Sequence, residues 1–171
     1  MVDKRDGEPM NTRTTVERKS DRELVVTRTF DGPARIVFEA WTKPELFKQW
    51  WVPKSLGMTL RSCELDVRTG GTYRLVFGND PTDTMAFFGK YLDVVPNQRI
   101  VWTNEESGPD SSITTVTLEE KNGRTMLVMS ELYPTKEALD AAGTGAQDAL
   151  QETFGQLDEV LASLVAIAAR S

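Results

Sequence analysis

The chain of 171 residues has no histidine and a single cysteine, Cys63. Without histidine there is no imidazole base, no Ser-His or Cys-His nucleophile pair, and no His-built zinc centre of the usual catalytic kind. A lone cysteine makes neither an internal disulfide nor a thiolate metal cluster. Long apolar runs are also missing: the longest, Val160 to Ala169, is interrupted by Ser163 and is too short to span a bilayer. No apolar run follows the charges at the N-terminus, so no secretory signal is read there and the cytoplasm is the expected compartment. Net positive charge is lacking as well. The formal charge is −6, which argues against nucleic acid, where phosphate neutralisation dominates binding. Any chemistry would have to run on carboxylates, Lys, Arg, Tyr, Ser or Thr, and no metal or cofactor is expected.

What is present suits one domain able to bury a core without staples. Four tryptophans and seven phenylalanines supply large apolar anchors. Residues 1–22 mix Lys4, Arg5, Arg13, Arg18, Lys19 and Arg22 with five acids and show no periodicity, so they read as a flexible tail, with one domain over 23–169. Glu23 to Phe30 is the first strand, with Leu24, Val26 and Arg28 on one face. Asp31-Gly32-Pro33 stops it and starts a short helix carrying Ile36, Val37, Ala40 and Trp41 at helical spacing. Thr42 and Glu45 are in capping-box register for a second helix through Leu46, Phe47, Trp50 and Trp51, ended by Pro53.

From residue 58 the period becomes two. Strands are expected over Met58–Val67, Thr72–Phe77, Thr84–Val94, Arg99–Glu105, Ser112–Lys121 and Thr125–Leu132, with turns at Gly70-Gly71, Gly78-Asn79, Pro96-Asn97, Ser107-Gly108-Pro109 and Asn122-Gly123. Such short connections make an antiparallel meander. A helical piece follows Tyr133-Pro134 and breaks at Gly143-Thr144-Gly145. The last helix, with Thr144 and Gln147 again in capping-box spacing, carries an apolar stripe of Ala146, Ala149, Leu150, Thr153, Phe154, Leu157, Val160, Leu161, Leu164 and Ala168. Asp148, Glu152, Asp158 and Glu159 stand on its opposite face. Only that helix is long enough to cover the sheet, and a wedge between the two is a natural cavity. The expected class is therefore α+β: a curved antiparallel sheet around one long C-terminal helix, with two short helices after the first strand.

This element order resembles the helix-grip, or START-like (SRPBCC), fold. The segments Ala34–Pro53 (ARIVFEAWTKPELFKQWWVP), Asp66–Phe77 (DVRTGGTYRLVF) and Gly89–Thr103 (GKYLDVVPNQRIVWT) resemble members related to the activator of the Hsp chaperone ATPase. The similarity covers roughly residues 23–165. It implies a superfamily of lipid carriers, hormone receptors, aromatic polyketide cyclases, plant allergens that hold hydrophobic ligands, and chaperone co-factors; a homodimer is compatible with the resemblance. One fold hosts many sites, so function follows less directly than fold. Two departures matter: relatives often have a His near the end of the last strand, where Glu131 stands here, and a Trp early in the final helix, where Thr153 and Phe154 stand. A mechanism that uses that His cannot transfer.

Trp41, Phe47, Trp50 and Trp51 are candidates for the aromatic end-wall of a cavity, against the simpler reading that they bury two small helices. Phe77, Met85, Phe87, Tyr91, Trp102, Leu127 and Met129 share the inner face if their strands alternate regularly, and Phe154 and Leu157 would close the wedge over them. Glu131 is the sharpest polar candidate: a carboxylate in an apolar wedge would titrate high and serve as acid, base or anchor, whereas at a strand end it would lie in solvent. Tyr91 offers a hydroxyl. Glu39 reads as surface, Asp66 and Arg68 as a turn ion pair, Cys63 as a small core residue, and Gly70-Gly71 as turn glycines without the spacing of a phosphate loop. The leading expectation is a sensor or carrier for a hydrophobic or aromatic small molecule. A cyclase- or hydrolase-like enzyme using Glu131 or Tyr91 is the alternative, and a stress-related chaperone contact the second.

Overall fold

The computed structural model describes residues 14–105, 112–143 and 146–170. Eight strands form one antiparallel sheet: β1 Thr15–Arg18, β2 Glu23–Phe30, β3 Leu60–Leu65, β4 Thr72–Asp80, β5 Asp83–Val95, β6 Arg99–Asn104, β7 Ser112–Lys121 and β8 Arg124–Leu132. Their order is β1-β2-β8-β7-β6-β5-β4-β3, so β3 to β8 are a meander and β2 returns to lie beside β8. Between β2 and β3 come α1 (Ala34–Thr42), α2 (Pro44–Phe47) and a 3₁₀ turn (Lys54–Leu56); α3 (Lys136–Gly143) and the 25-residue α4 (Ala146–Arg170) follow β8.

Strict alternation in β2 turns Leu24, Val26, Arg28 and Phe30 inward. The inward arginine is unusual, and its charge is compensated. Arg28 is 2% exposed, donates to Thr14 Oγ1 at 2.9 Å, pairs with Asp158 of α4, and lies 5.5 Å from the Phe30 ring centroid. Asp158, expected on the solvated face of α4, is thus half-buried against the sheet. Phe154, Leu157, Val160 and Leu161 of the same helix join Val26, Phe30, Val116 and Leu127 in one core, where Phe154 meets Phe30 edge-on at 5.5 Å. Ala149 is exposed, departing from the expected stripe. Residues 144 and 145, and with them the expected Thr144 cap, lie outside the described residues, as does the expected Ser107-Gly108-Pro109 turn.

Four local expectations are corrected. The segment read as a tail to residue 22 contributes β1, paired along β2 from Thr15↔Thr27 to Arg18↔Leu24. Helix α2 stops at Phe47 and does not continue through Trp51. Pro53 offers no N–H to continue the ladder, and Gln156 of α4 donates to the carbonyls of Trp50 and Val52 at 3.0 and 2.9 Å. Thr42 is no capping residue: its hydroxyl donates back to Phe38 O at 2.9 Å and Lys43 occupies the N-cap. The turn expected at Gly78-Asn79 moves to 81–82, because Gly78, at φ 148°, sits at a bulge inside β4 and the strand runs on to Asp80. Asn122-Gly123 is a turn as expected, with both φ values positive at 56° and 77°.

Candidate functional site: an aromatic cavity

A cavity of ≈ 60 Å³ lies between the α1–α2 segment and the inner face of β3 to β6. Trp41 of α1, Phe47 of α2 and Trp51 of the following turn form its roof; Leu65, Tyr73, Leu75, Phe87, Tyr91, Ile100, Trp102 and Asn104 form its floor and sides. The roof is a packed aromatic cluster: Trp41 meets Trp50, Trp51 and Trp102 at ring separations of 4.8, 5.8 and 5.8 Å, and Phe47 stacks on Trp51 at 4.7 Å. Trp51, Leu65, Phe87 and Asn104 are only half-buried. Two broader surface depressions, ≈ 460 Å³ beside the β4–β5 turn and ≈ 450 Å³ beside the β7–β8 turn, are lined largely by polar turn residues such as Asp80, Asp83, Lys121 and Asn122.

The floor is wide because of Gly89. It falls on the inner face between Phe87 and Tyr91, and a Cβ there would sit 1.9 Å from Thr103 O and 2.9 Å from the Tyr73 ring. The glycine lets the Tyr73 ring lie across the strand, where it meets Tyr91 at 5.7 Å and donates its hydroxyl to Thr103 O at 2.8 Å.

Six of the expected ligand-contacting residues line this cavity: Trp41, Phe47, Trp51, Phe87, Tyr91 and Trp102. The others fall elsewhere. Trp50 is fully buried and donates its indole N–H to Ala40 O at 3.0 Å, which makes it a packing residue. Leu127, Met129, Phe154 and Leu157 fill the core beneath α4, so the cavity is not in the wedge between sheet and C-terminal helix. Phe77 is buried against Phe87 outside the cavity wall, and Met85 is 52% exposed because no helix covers that end of the sheet. Tyr73, Leu75, Ile100, Leu65 and Asn104 were not expected. The first two share Phe77's period-two face and Ile100 and Asn104 share that of Trp102, so the signal was there; what the period does not tell is how far α1 and α2 reach.

A hydrogen-bonded track leaves the cavity along one row of the sheet, where Tyr91, Trp102, Thr114 and Glu131 are successive cross-strand neighbours. Trp102 Nε1 donates to Asn104 Oδ1 at 3.2 Å, with Tyr73 Oη, whose proton is committed to Thr103 O, at the same distance; Asn104 Nδ2 donates to Thr114 Oγ1 at 3.0 Å, and Thr114 Oγ1 donates to Glu131 Oε2 at 3.3 Å. Tyr133 Oη donates to Glu131 Oε1 at 3.2 Å. Loss of hydration pushes the Glu131 carboxyl above its ordinary range, and the two hydroxyl donors only partly offset this. Glu131 is half-buried behind the cavity wall, two hydrogen bonds from its edge. Burial also pushes the Tyr91 hydroxyl upward, keeping it protonated at any ordinary pH. Cys63 is half-buried with its thiol pushed up to about 11 by burial, so it is a poor nucleophile. Glu39 pairs with Arg35 and Lys43 at 3.7 and 3.8 Å, and Asp66 with Arg68 at 3.0 Å; neither carboxylate lines the cavity, though Asp66 is near enough to help raise the Tyr91 hydroxyl. Among the described residues no group of acidic and thiol side chains converges as metal ligands do.

An open antiparallel sheet gripping a long helix, with an aromatic cavity under two short helices, defines a START-like helix-grip protein. The chain belongs to the family described as activator of Hsp90 ATPase homolog 1-like proteins, whose model matches residues 31–162. Among solved structures it is similar to a Rhodobacter sphaeroides protein at 24% identity and a TM-score of 0.81, over 89% of this chain and 99% of that one. A Nitrosomonas europaea protein (24% identity, TM-score 0.76, 87% and 99% covered) and a Staphylococcus epidermidis protein (25%, 0.74, 87% and 94%) share the architecture. No curated protein matches the chain. Among the described residues no helix is long and apolar enough to cross a membrane.

Proposed function

We propose that the protein is a cytoplasmic sensor or carrier that holds a small, largely apolar molecule in the cavity beneath α1 and α2. One observation carries this reading: seven aromatic side chains converge on a space that the protein itself leaves unfilled and that no ionised side chain lines. Ligand sites for drug-sized molecules are roughly 300–1,000 Å³, so at ≈ 60 Å³ the cavity takes a ring only if its wall moves outward. Trp51 is the wall residue suited to move, being half-buried on irregular backbone between α2 and the 3₁₀ turn. Native mass spectrometry of protein purified without detergent, with denaturing release of whatever is bound, tests the reading. A reproducible small apolar mass is expected; an empty protein whose melting temperature ignores a panel of aromatics and lipids would sink it.

A catalytic reading has one observation in its favour, the desolvated Glu131 at the end of the track from Asn104. It competes poorly, because no carboxylate lines the cavity. The Hsp90-related family description supports a chaperone contact as a third reading, tested by whether a purified chaperone of that class retains the protein.

A further inference from the structure

The polar groups of the cavity wall are not equally occupied. Asn104 accepts the Trp102 indole N–H on its carbonyl and gives its amide protons to Thr114 and Ser112, and the Trp102 indole is spent on Asn104. Two groups are left over. Trp41 is 3% exposed and its indole N–H has no acceptor, and a buried donor left unpaired forfeits its hydration without return. By contrast, the N–H of neighbouring Trp50 is satisfied by Ala40 O at 3.0 Å. Tyr91 is 6% exposed as a residue; its hydroxyl has no protein partner among the described residues but, unlike the Trp41 N–H, is not a fully buried unpaired atom and stays accessible to donate. The two flank the same ring: Trp102 lies 5.8 Å from Trp41 and is the direct cross-strand partner of Tyr91.

We infer that the ligand is a neutral, flat molecule bearing a carbonyl-type acceptor, which lies against Trp102 and takes hydrogen bonds from Trp41 Nε1 and Tyr91 Oη; this rests on the cavity being the binding site. An acceptor is specified because the indole N–H can only donate. Tyr91, held in its protonated form by burial, is a second donor. Neutrality follows from the wall, which offers no cation to compensate an anion and no carboxylate to compensate a cation, so an ion would forfeit its hydration without return. Flatness follows from the cage, whose opposing walls are rings.

Three probes separate the outcomes: acetophenone, its carbonyl-free analogue ethylbenzene, and the anion benzoate, each titrated while the four tryptophan indole N–H signals are followed by nuclear magnetic resonance. Acetophenone is expected to bind about 10-fold more tightly than ethylbenzene, the worth of one to two net hydrogen bonds, and to move one indole proton downfield. Benzoate is expected to bind more weakly than either. Trp41→Phe should erase most of the acetophenone preference and remove the signal that moved; Tyr91→Phe, which keeps the ring and serves if the first variant folds poorly, should reduce the preference about threefold. Equal binding of acetophenone and ethylbenzene, with both perturbing Trp41 and Trp102, would overturn the carbonyl assignment and leave the cavity reading standing. So would preferential binding of benzoate. Binding of none of the three at millimolar concentration would overturn both.

Discussion

The inner face of one sheet is covered in two ways. Beneath α4, the strands β2, β8 and β7 meet a continuous helix, and Phe154, Leu157, Val26, Leu127 and Val116 are at most 1% exposed. Beneath α1 and α2, the strands β3 to β6 meet two tryptophans and a phenylalanine carried on a short helix, a four-residue helix and a turn, and space remains. Ring content does not explain the difference, since the loosely filled half is the richer in aromatics. Support does. A long helix presents side chains at fixed spacing that interdigitate with a sheet, whereas bulky rigid rings on short irregular backbone stack on one another and bridge a gap. The sealed half supplies stability and the bridged half leaves a cavity.

Four substitutions, in three tests, sharpen this contrast. The largest effect is expected from truncation in the sealed half: Phe154→Ala should cost about 3–5 kcal/mol, whereas Trp51→Ala, at a half-buried site, should cost clearly less and enlarge the cavity. Denaturant unfolding of both variants measures this, and equal losses would show that the two halves are packed alike. Gln156 comes next, because it joins the halves. From α4 it donates to Trp50 O and Val52 O and accepts from Lys54 N at 2.8 Å, while Glu152 accepts from Ser55 N and Oγ at 2.9 and 2.6 Å. Gln156→Ala should cost about 1–3 kcal/mol and speed hydrogen exchange at Lys54 more than at strand amides; uniform acceleration would count against a local tether. The smallest effect is electrostatic. With its folded value raised, Glu131 binds its proton more tightly in the folded state, so the stability it contributes is full at acid pH and declines as pH rises above the ordinary carboxylate range. Glu131→Gln should flatten that decline, its melting temperature gaining on wild type between pH 4 and pH 8; parallel curves would refute it.

The fold was legible because each element has its own period and its own punctuation. The Asn122-Gly123 turn and the Ser112–Lys121 strand stand where the sequence alone places them, since positive-φ residues and strict alternation leave few alternatives. The cavity lining was legible in part. Trp41, Phe47, Trp51, Phe87, Tyr91 and Trp102 were identifiable as aromatic and inward, but which inward residues border empty space depends on where the covering elements end. Past the end of α2 at Phe47, the carbonyls of Trp50 and Val52 accept from a glutamine more than a hundred residues away, a tertiary contact that no local pattern records. For the same reason Leu127 and Met129 looked like pocket residues and proved to be core. The unpaired Trp41 donor lies further from reach: an indole's acceptor is set by three-dimensional neighbours, and Trp50, nine residues on in the same cluster, has one.

Where this chain can be cut follows from the Arg28–Asp158 pair. The span matched by the family, 31–162, begins just after β2, yet β2 pairs with β8 along its whole length, from Glu23↔Leu132 to Phe30↔Thr125. A fragment trimmed to that span would expose β8 as a sheet edge ready to pair with other chains, and would strand the Asp158 carboxylate without its guanidinium. Anyone shortening the protein for crystals or fusions should therefore start no later than Thr14, whose hydroxyl accepts from that same arginine.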